Sequence, residues 1–372
     1  MEWTGWLPTG IMTIQENVPL APLTTLQVGG AARYFAELQR EDDVREATQF
    51  AKTRELPLFV LGGGSNLVVA DSGWPGLVLK IAIGGITSPD TKDATGSAVL
   101  FSEGAGVNWD DFVARAVAQN CAGVECLSGI PGSVGGTPVQ NVGAYGQEVA
   151  DTIESVRAFD LKEDRIVVLP KPACGFHYRS SIFNGAERGR YIILRVNYRL
   201  KRGGAPSLKY ADLQGHFAGR LAENKTPPSL AEVREAVREI RRSKGMLIVP
   251  GDDDCRSAGS FFKNPVLSEE RFKELARRAA SKGLEIPSYP APRSQHKDAQ
   301  RKVSAAWLVE HSGFFKGYAV GATGISQKHA LALINRGDAK ASDIVGLKDE
   351  IQHGVQEAWG ILLEPEPVFV GF

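Results

Sequence analysis

A chain of 372 residues is too long for one ordinary hydrophobic core, so two or three domains are expected. Hydrophobic residues make up 43% and charged residues 23%, a globular composition that excludes disorder over most of the length. The formal net charge of +0 removes the broad attraction used by nucleic-acid and membrane-surface binders, so any anionic ligand has to be held locally.

Taken in chain order, Met1 to Asn17 carries no basic run followed by an apolar one, and no later run approaches a membrane span. Val44, Ala47 and Phe50 fall at helical spacing. Pro57 to Leu61 reads as a short buried strand that runs directly into Gly62, Gly63, Gly64, Ser65 and Asn66, before a second apolar run at Leu67 to Val69. A strand opening into three glycines makes a loop whose amides can converge on an anion, although a plain glycine-rich hairpin fits equally well. No helix starts at the last glycine and no Lys-Ser or Lys-Thr follows, which excludes a dinucleotide fingerprint and a P-loop.

Asn108 is positioned to cap a helix with Trp109, Phe112, Val113, Ala116 and Val117 on its apolar face. A second glycine-rich segment spans Leu127 to Gly146, stiffened by Pro131 and Pro138, and lets backbone pass close to a flat or extended ligand. Two such loops suggest one large ligand with a diphosphate and a planar part. Strands are expected at Ser155 to Asp160, Arg165 to Leu169 and Tyr191 to Lys201. The dense segment Cys174 to Phe183 holds Arg179 among groups suited to orienting a guanidinium toward a carboxylate or phosphate.

A boundary is expected near Arg202 to Pro206, where strands give way to Gly and Pro. Ser229-Leu230-Ala231-Glu232 is a capping box for a helix ending at Lys244 and Gly245. Ser268 and Ser342 are expected to cap two more helices. Between them lies Arg256 to Pro265, in which Ser260 sits between Gly259 and Phe261-Phe262 and is followed by Lys263 and Asn264. Small neighbours would let another molecule approach that hydroxyl, and the phenylalanines would exclude water beside it; a tight turn leading into a buried Phe pair is the alternative. Leu362 to Val370 reads as an edge or terminal strand in which Glu364 and Glu366 alternate with prolines. The four cysteines and six histidines show no ligand spacing, so buried thiols and no metal site are expected.

Five motifs occur in the order found in UDP-N-acetylenolpyruvoylglucosamine reductases, the flavoenzymes of peptidoglycan precursor synthesis: Gly62 to Asn66, Ile130-Pro131-Gly132 to Tyr145-Gly146, Tyr178-Arg179-x-Ser181-x-Phe183, Gly259 to Pro265, and the Glu-Pro-Glu end. The chain resembles that family from about Leu20 to its C-terminus. The resemblance implies an α+β fold, with a vanillyl-alcohol-oxidase-type FAD-binding part made of two subdomains (residues 21–90 and 91–204, after an extension at 1–20) and a substrate-binding domain (205–372) whose final strand returns to the active site. It further implies FAD along Gly62, Gly63, Gly64, Ser65 and Asn66 at the diphosphate, and along Ile130, Gly132, Gly135, Gly136, Thr137, Val139 and Gly143. No histidine stands in the first loop where relatives of this fold attach flavin, so the FAD is expected to be noncovalent.

The chemistry implied is reduction of a UDP-sugar enolpyruvyl ether. NADPH reduces the flavin and leaves, and the substrate then takes hydride from flavin N5. Arg179 and Glu366 resemble the pair that stabilises the enolic intermediate, and Ser260 the proton donor. Tyr210 and Lys244 match positions at the UDP diphosphate, Asn264 one at nucleotide or sugar, Tyr145 one near the pyruvyl or sugar part, and Tyr178 belongs to the arginine motif. His329 reads as a surface-helix histidine, and Asp252, Asp253 and Asp254 would repel a diphosphate unless they face away or bind a cation. A cytoplasmic monomer is expected. A flavin oxidase of the same fold, or a noncatalytic nucleotide-sugar binder, stays open as an alternative.

Overall fold

The computed structural model describes residues 12–87, 97–222, 226–290 and 300–372. The expected 90/91 boundary and residues 1–11 of the N-terminal extension lie outside the described residues.

The first sheet has the order Ile14–Pro19, Ala31–Leu38, Trp74–Ile81, Leu58–Leu61. Its first pair is antiparallel and the other two are parallel. Residues 14–19, assigned from sequence to an extension, are thus the edge strand of this sheet. A parallel pairing needs a crossover, and helix Glu41–Thr53 supplies it, burying Val44, Ala47 and Ala51 in the cluster that holds Ala36, Leu38, Leu77 and Leu79. Strand Leu58–Leu61 ends at the first glycine loop, so the loop sits at the carboxyl end of a parallel strand, where ligands of α/β sheets gather.

The second sheet is antiparallel, in the order Arg165–Pro170, Ile153–Asp160, Tyr191–Arg202, Ala98–Gly104, Ile86–Thr87. Helix Trp109–Ala118 packs on it. The Asn108 side chain accepts from the amides of Asp110 (2.9 Å) and Asp111 (3.2 Å), satisfying two of the donors a helix start leaves open. The helix's buried apolar face includes Phe112, whose ring stacks on Tyr198 at 4.8 Å. Truncating Phe112 to alanine would cost about 3 to 5 kcal/mol in cavity and transfer terms.

The C-terminal region holds a sheet ordered Ser257–Ser260, Ala332–Asn335, Thr323–Ile325, Ala319–Val320 and a three-stranded sheet of Val266–Ser268, Gln300–Val303 and Ser288–Pro290. Helices Leu230–Ser243 and Glu269–Ala280 start at the expected serine caps. Helix Ala341–Trp359 does not start at Ser342. The carboxylate of Asp71 takes the amides of Ala341 (2.7 Å) and Ser342 (3.1 Å), so a residue of the first region caps a helix of the last. Of the expected terminal strand, Val368–Val370 alone forms regular structure, pairing parallel with Leu67–Val69. Residues before it hydrogen-bond to the serine segment: Lys263 N–H donates to the Glu364 carbonyl (2.9 Å) and Glu366 N–H to the Phe261 carbonyl (2.8 Å).

Candidate active site

A cleft of 1230 Å³ runs between these regions, walled by both glycine segments and by Arg179, Ser260 and Glu366. The two loops touch through their backbones. A Cβ on Gly63 would stand 2.4 Å from Gly132 Cα, one on Gly62 2.9 Å from Ser133 Oγ, and Ser65 Oγ donates to the Pro131 carbonyl at 2.9 Å. Gly64 has φ +66, which side chains rarely adopt, and a Cβ there would strike the Leu23 carbonyl at 2.0 Å. Glycine is therefore required to bring the loops together.

The same loops are fitted to a phosphorylated, planar ligand. The amides of Gly63, Gly64 and Ser65 donate to no protein acceptor among the described residues. Buried amides are otherwise paired, so donors left facing a cleft suit an anion. At Gly136 an added Cβ would meet no protein atom within 4 Å, which leaves room above the second loop. Lys80 Nζ donates to the Gly62 carbonyl at 2.5 Å and fixes the start of the first loop. Burial holds that ammonium's pKa below its ordinary value, against an opposing pull from Glu37.

Asn66 does more than line the cleft. Its side-chain Nδ2 donates to Gln140 Oε1 (2.5 Å) and to the Glu366 carbonyl (3.3 Å), and its backbone carbonyl accepts from Val368 N–H (2.9 Å). One side chain thus joins the first loop, the second loop and the returning C-terminus. That return, together with the bond from Glu366 N–H to Phe261, sets Glu366 beside the serine segment. Glu364 instead faces outward, 71% exposed, and pairs with Lys263.

Arg179 sits at φ +55, a left-handed conformation that costs a non-glycine residue about 1 to 3 kcal/mol. Reciprocal bonds between His177 and Ser180 (2.9 and 3.1 Å) close the turn, Asn184 Nδ2 donates to the Arg179 carbonyl (3.2 Å), and Ser181 Oγ anchors the turn to the Val139 carbonyl (2.6 Å). Arg179 Nη2 donates to the Gly143 carbonyl at 2.9 Å. Its Nε lies 3.1 Å from Glu366 Oε1, near enough for an ion pair but out of line for a hydrogen bond, so this buried N–H is left without an acceptor. Tyr178 is not on the cleft wall. Its ring lies 5.3 Å from both the Arg179 guanidinium and Lys302 Nζ.

Ser260 ends strand Ser257–Ser260, held to Ala332 across the sheet. Gly259 before it has φ +77, and Phe261 and Phe262 behind it are buried at 0% and 2% exposure. Its hydroxyl engages no protein partner among the described residues. Asn264 lines the cleft while its Oδ1 accepts from Ala305 N–H (2.8 Å).

The remaining expected residues gather at the other end of the cleft. The rings of Tyr145 and Tyr210 meet edge to face at 5.3 Å, and Lys244, at the end of helix Leu230–Ser243, pairs with Asp212. Burial opposes the charge on Lys244, but the hydrogen bond to Asp212 holds its pKa above the ordinary value. His329 is not on a helix. It lies in the turn between Thr323–Ile325 and Ala332–Asn335, lines the cleft, and accepts the Leu331 N–H on Nδ1 at 3.1 Å. Burial, then Lys244, Lys316 and Arg241, push its pKa down to about 4, so a neutral ring keeps its proton on Nε2.

The three aspartates face away from the cleft: Asp252 pairs with Lys328, Asp253 with Arg256, and Asp254 accepts from Gln327 N–H. Cys121, Cys126, Cys174 and Cys255 are buried.

The sequence singles out neither Arg241 nor Lys302, and both line the cleft beside others such as Asp212 and Gln140. Arg241 is 8% exposed and binds the carbonyls of Gly129 (3.0 Å) and Met246 (2.5 Å). Its signal was present, because an arginine continues the apolar stripe of Leu230, Val233 and Val237. Lys302 had none, since Gln300, Arg301 and Lys302 give no alternation to read.

Residues 32–169 match the FAD binding domain family, and with two glycine loops facing one cleft the chain is a flavoenzyme with FAD as its cofactor. Residues 250–370 match the C-terminal domain of UDP-N-acetylenolpyruvoylglucosamine reductase. Proteins of that name from Thermobifida fusca and Streptomyces coelicolor are 45% and 43% identical to it, each over 96% of this chain and over 98% and 91% of their own lengths. The crystal structure of the enzyme from Thermus caldophilus superposes with a TM-score of 0.63 at 27% identity, covering 97% of this chain and 100% of that one. The chain belongs to the UDP-N-acetylenolpyruvoylglucosamine reductase family, oxidoreductases of peptidoglycan precursor synthesis. The expected α+β fold, of the vanillyl-alcohol-oxidase type with a C-terminal α+β domain, is borne out. Among the described residues, no helix is long and apolar enough to cross a membrane.

Proposed function

We propose that the cleft reduces the enolpyruvyl ether of UDP-N-acetylglucosamine to UDP-N-acetylmuramate, with NADPH as the source of reducing equivalents. The carrying observation is that Ser260, Arg179 and Glu366, separated by up to 187 positions in the chain (366 minus 179), line the same cleft as both glycine loops. FAD, when bound, receives hydride from NADPH and supplies it to the vinyl carbon of the substrate.

Every other role falls to side chains and amides of this chain. Gly62, Gly63, Gly64, Ser65 and Asn66 hold the cofactor diphosphate, and the second loop from Ile130 to Gly143 lines its length, without a covalent link. Arg179, whose guanidinium lines the cleft, pairs with the substrate carboxylate. Glu366, in its protonated form or sharing a proton, donates a hydrogen bond to the enolic oxygen as negative charge builds beside the carboxylate. Ser260 gives the proton that completes the lactyl ether, and the buried phenylalanines behind it keep that face dry. Lys244 and Tyr210 meet the diphosphate of the UDP or of the nicotinamide cofactor, with Asn264 and Tyr145 toward sugar and pyruvyl. Residues 21–90, joined by the edge strand at 14–19, and residues 91–204 form the two cofactor subdomains, and 205–372 the substrate domain of a cytoplasmic monomer that has no nucleic-acid partner.

Anaerobic mixing tests this reading. NADPH should bleach the flavin, and the enolpyruvyl nucleotide should then restore its colour. Bleaching without restored colour would overturn the substrate assignment.

A further inference from the structure

The ion pair between Lys244 and Asp212 places an anion on the cation that the reading above gives to the ligand diphosphate. Both residues line the cleft and both are half-exposed, so the pair is not a buried structural lock. Asp212 belongs to the short helix Ala211–His216, directly after Tyr210, whose ring rests edge-on against Tyr145. The carboxylate and the tyrosine are therefore carried by one segment and anchored at two neighbouring points, Lys244 and Tyr145.

We propose that Asp212 is an internal stand-in for a ligand phosphate: it occupies Lys244 in the free protein, and a bound diphosphate displaces it. The proposal rests on the reading of Lys244 as a diphosphate contact. Because an ammonium pairs with one strong anionic partner at a time at full strength, Asp212 and the ligand compete for it. A ligand has to outbid a carboxylate before the Tyr210 segment is released, which favours a doubly charged diphosphate over singly charged anions. Nearby Arg241 is already bonded to the carbonyls of Gly129 and Met246, and His329 is held neutral, so neither offers Asp212 an equivalent second seat.

The test is calorimetric titration of UDP into the FAD-loaded protein. Removing the competitor with Asp212→Asn should tighten UDP binding by about twofold to fivefold, the size expected for a half-exposed ion pair. Asp212→Ala should shift it in the same direction, and structural damage would shift it the other way. Lys244→Met should weaken UDP binding, and on that background Asp212→Asn should have no effect, since the two act through one contact. If Lys244→Met weakens binding but both Asp212 variants leave it unchanged or weaker, the stand-in role is overturned while the diphosphate reading of Lys244 survives. If Lys244→Met leaves UDP affinity unchanged, the diphosphate reading itself fails and the stand-in role falls with it.

Discussion

The glycine cradle and the rim carrying Ser260, Lys244 and Tyr210 reach the same cleft by opposite means. The cradle is backbone: Gly63 against Gly132, Gly64 under the Leu23 carbonyl, and amides left without protein partners. Its shape is set by where side chains are missing. The rim is side chains, brought from distant positions and held by pairs such as Lys244 with Asp212 and Arg179 with Glu366. A cradle built this way is stiff and tolerates few substitutions, while a rim of ion pairs can be rearranged by a charged ligand. Cofactor retention should therefore depend on packing, and turnover on a few functional groups.

That contrast can be broken first at Arg179. Arg179→Met should lower kcat by about a hundredfold to a thousandfold, the usual cost of losing one group aimed at developing charge, with FAD content unchanged. Steady-state kinetics and the flavin absorbance ratio check both halves. Arg179→Gly would relieve the φ of +55 without restoring activity, which separates backbone strain from charge.

The cradle should show the reverse pattern. Gly63→Val puts side-chain atoms where the Gly132 backbone lies, and overpacking of about 1 to 3 kcal/mol should loosen FAD by roughly fivefold to a hundredfold. Dilution followed by flavin fluorescence measures the loss. Protein that does retain FAD should be reduced by NADPH at nearly the parent rate.

The smallest effect is expected where the two regions are tied together away from the cleft. Asp71→Ala removes the cap of helix Ala341–Trp359 and should cost about 1 kcal/mol by urea denaturation at pH 7. Burial alone would raise the Asp71 pKa, but the hydrogen bonds from Ala341 and Ser342 and the charge of Lys340 bring it below the ordinary value. The stabilisation is thus present above the unfolded carboxylate range and is lost as pH falls through the lower folded value. The difference between parent and variant should shrink on acidification toward that value.

The same contrast explains what could be read in advance. Local signals were legible: Asn108, Ser229 and Ser268 cap the helices they precede, and the glycine loops announce themselves by composition. Signals carried across the chain were not. Ser342 looked like a cap because nothing in its neighbourhood points to Asp71, 271 positions earlier. Glu366 and Glu364 are alike in sequence, and long-range contacts separate them: Glu366 is tied to Phe261, Asn66 and Arg179, while Glu364 faces outward on Lys263. His329 sits in a residue pattern that suits a helix, yet it turns into the cleft because two strands pair on either side of it. Tyr178 shares a motif with Arg179, but its ring packs against that guanidinium at 5.3 Å and does not line the cleft.

The central claim is that the cradle performs the first half of the reaction and that Ser260, on the rim, completes the second. Stopped-flow absorbance of Ser260→Ala under anaerobic conditions tests it directly. NADPH should bleach the flavin at close to the parent rate, and reoxidation by the enolpyruvyl nucleotide should slow by about a hundredfold to ten-thousandfold. Reoxidation at the parent rate would contradict the account.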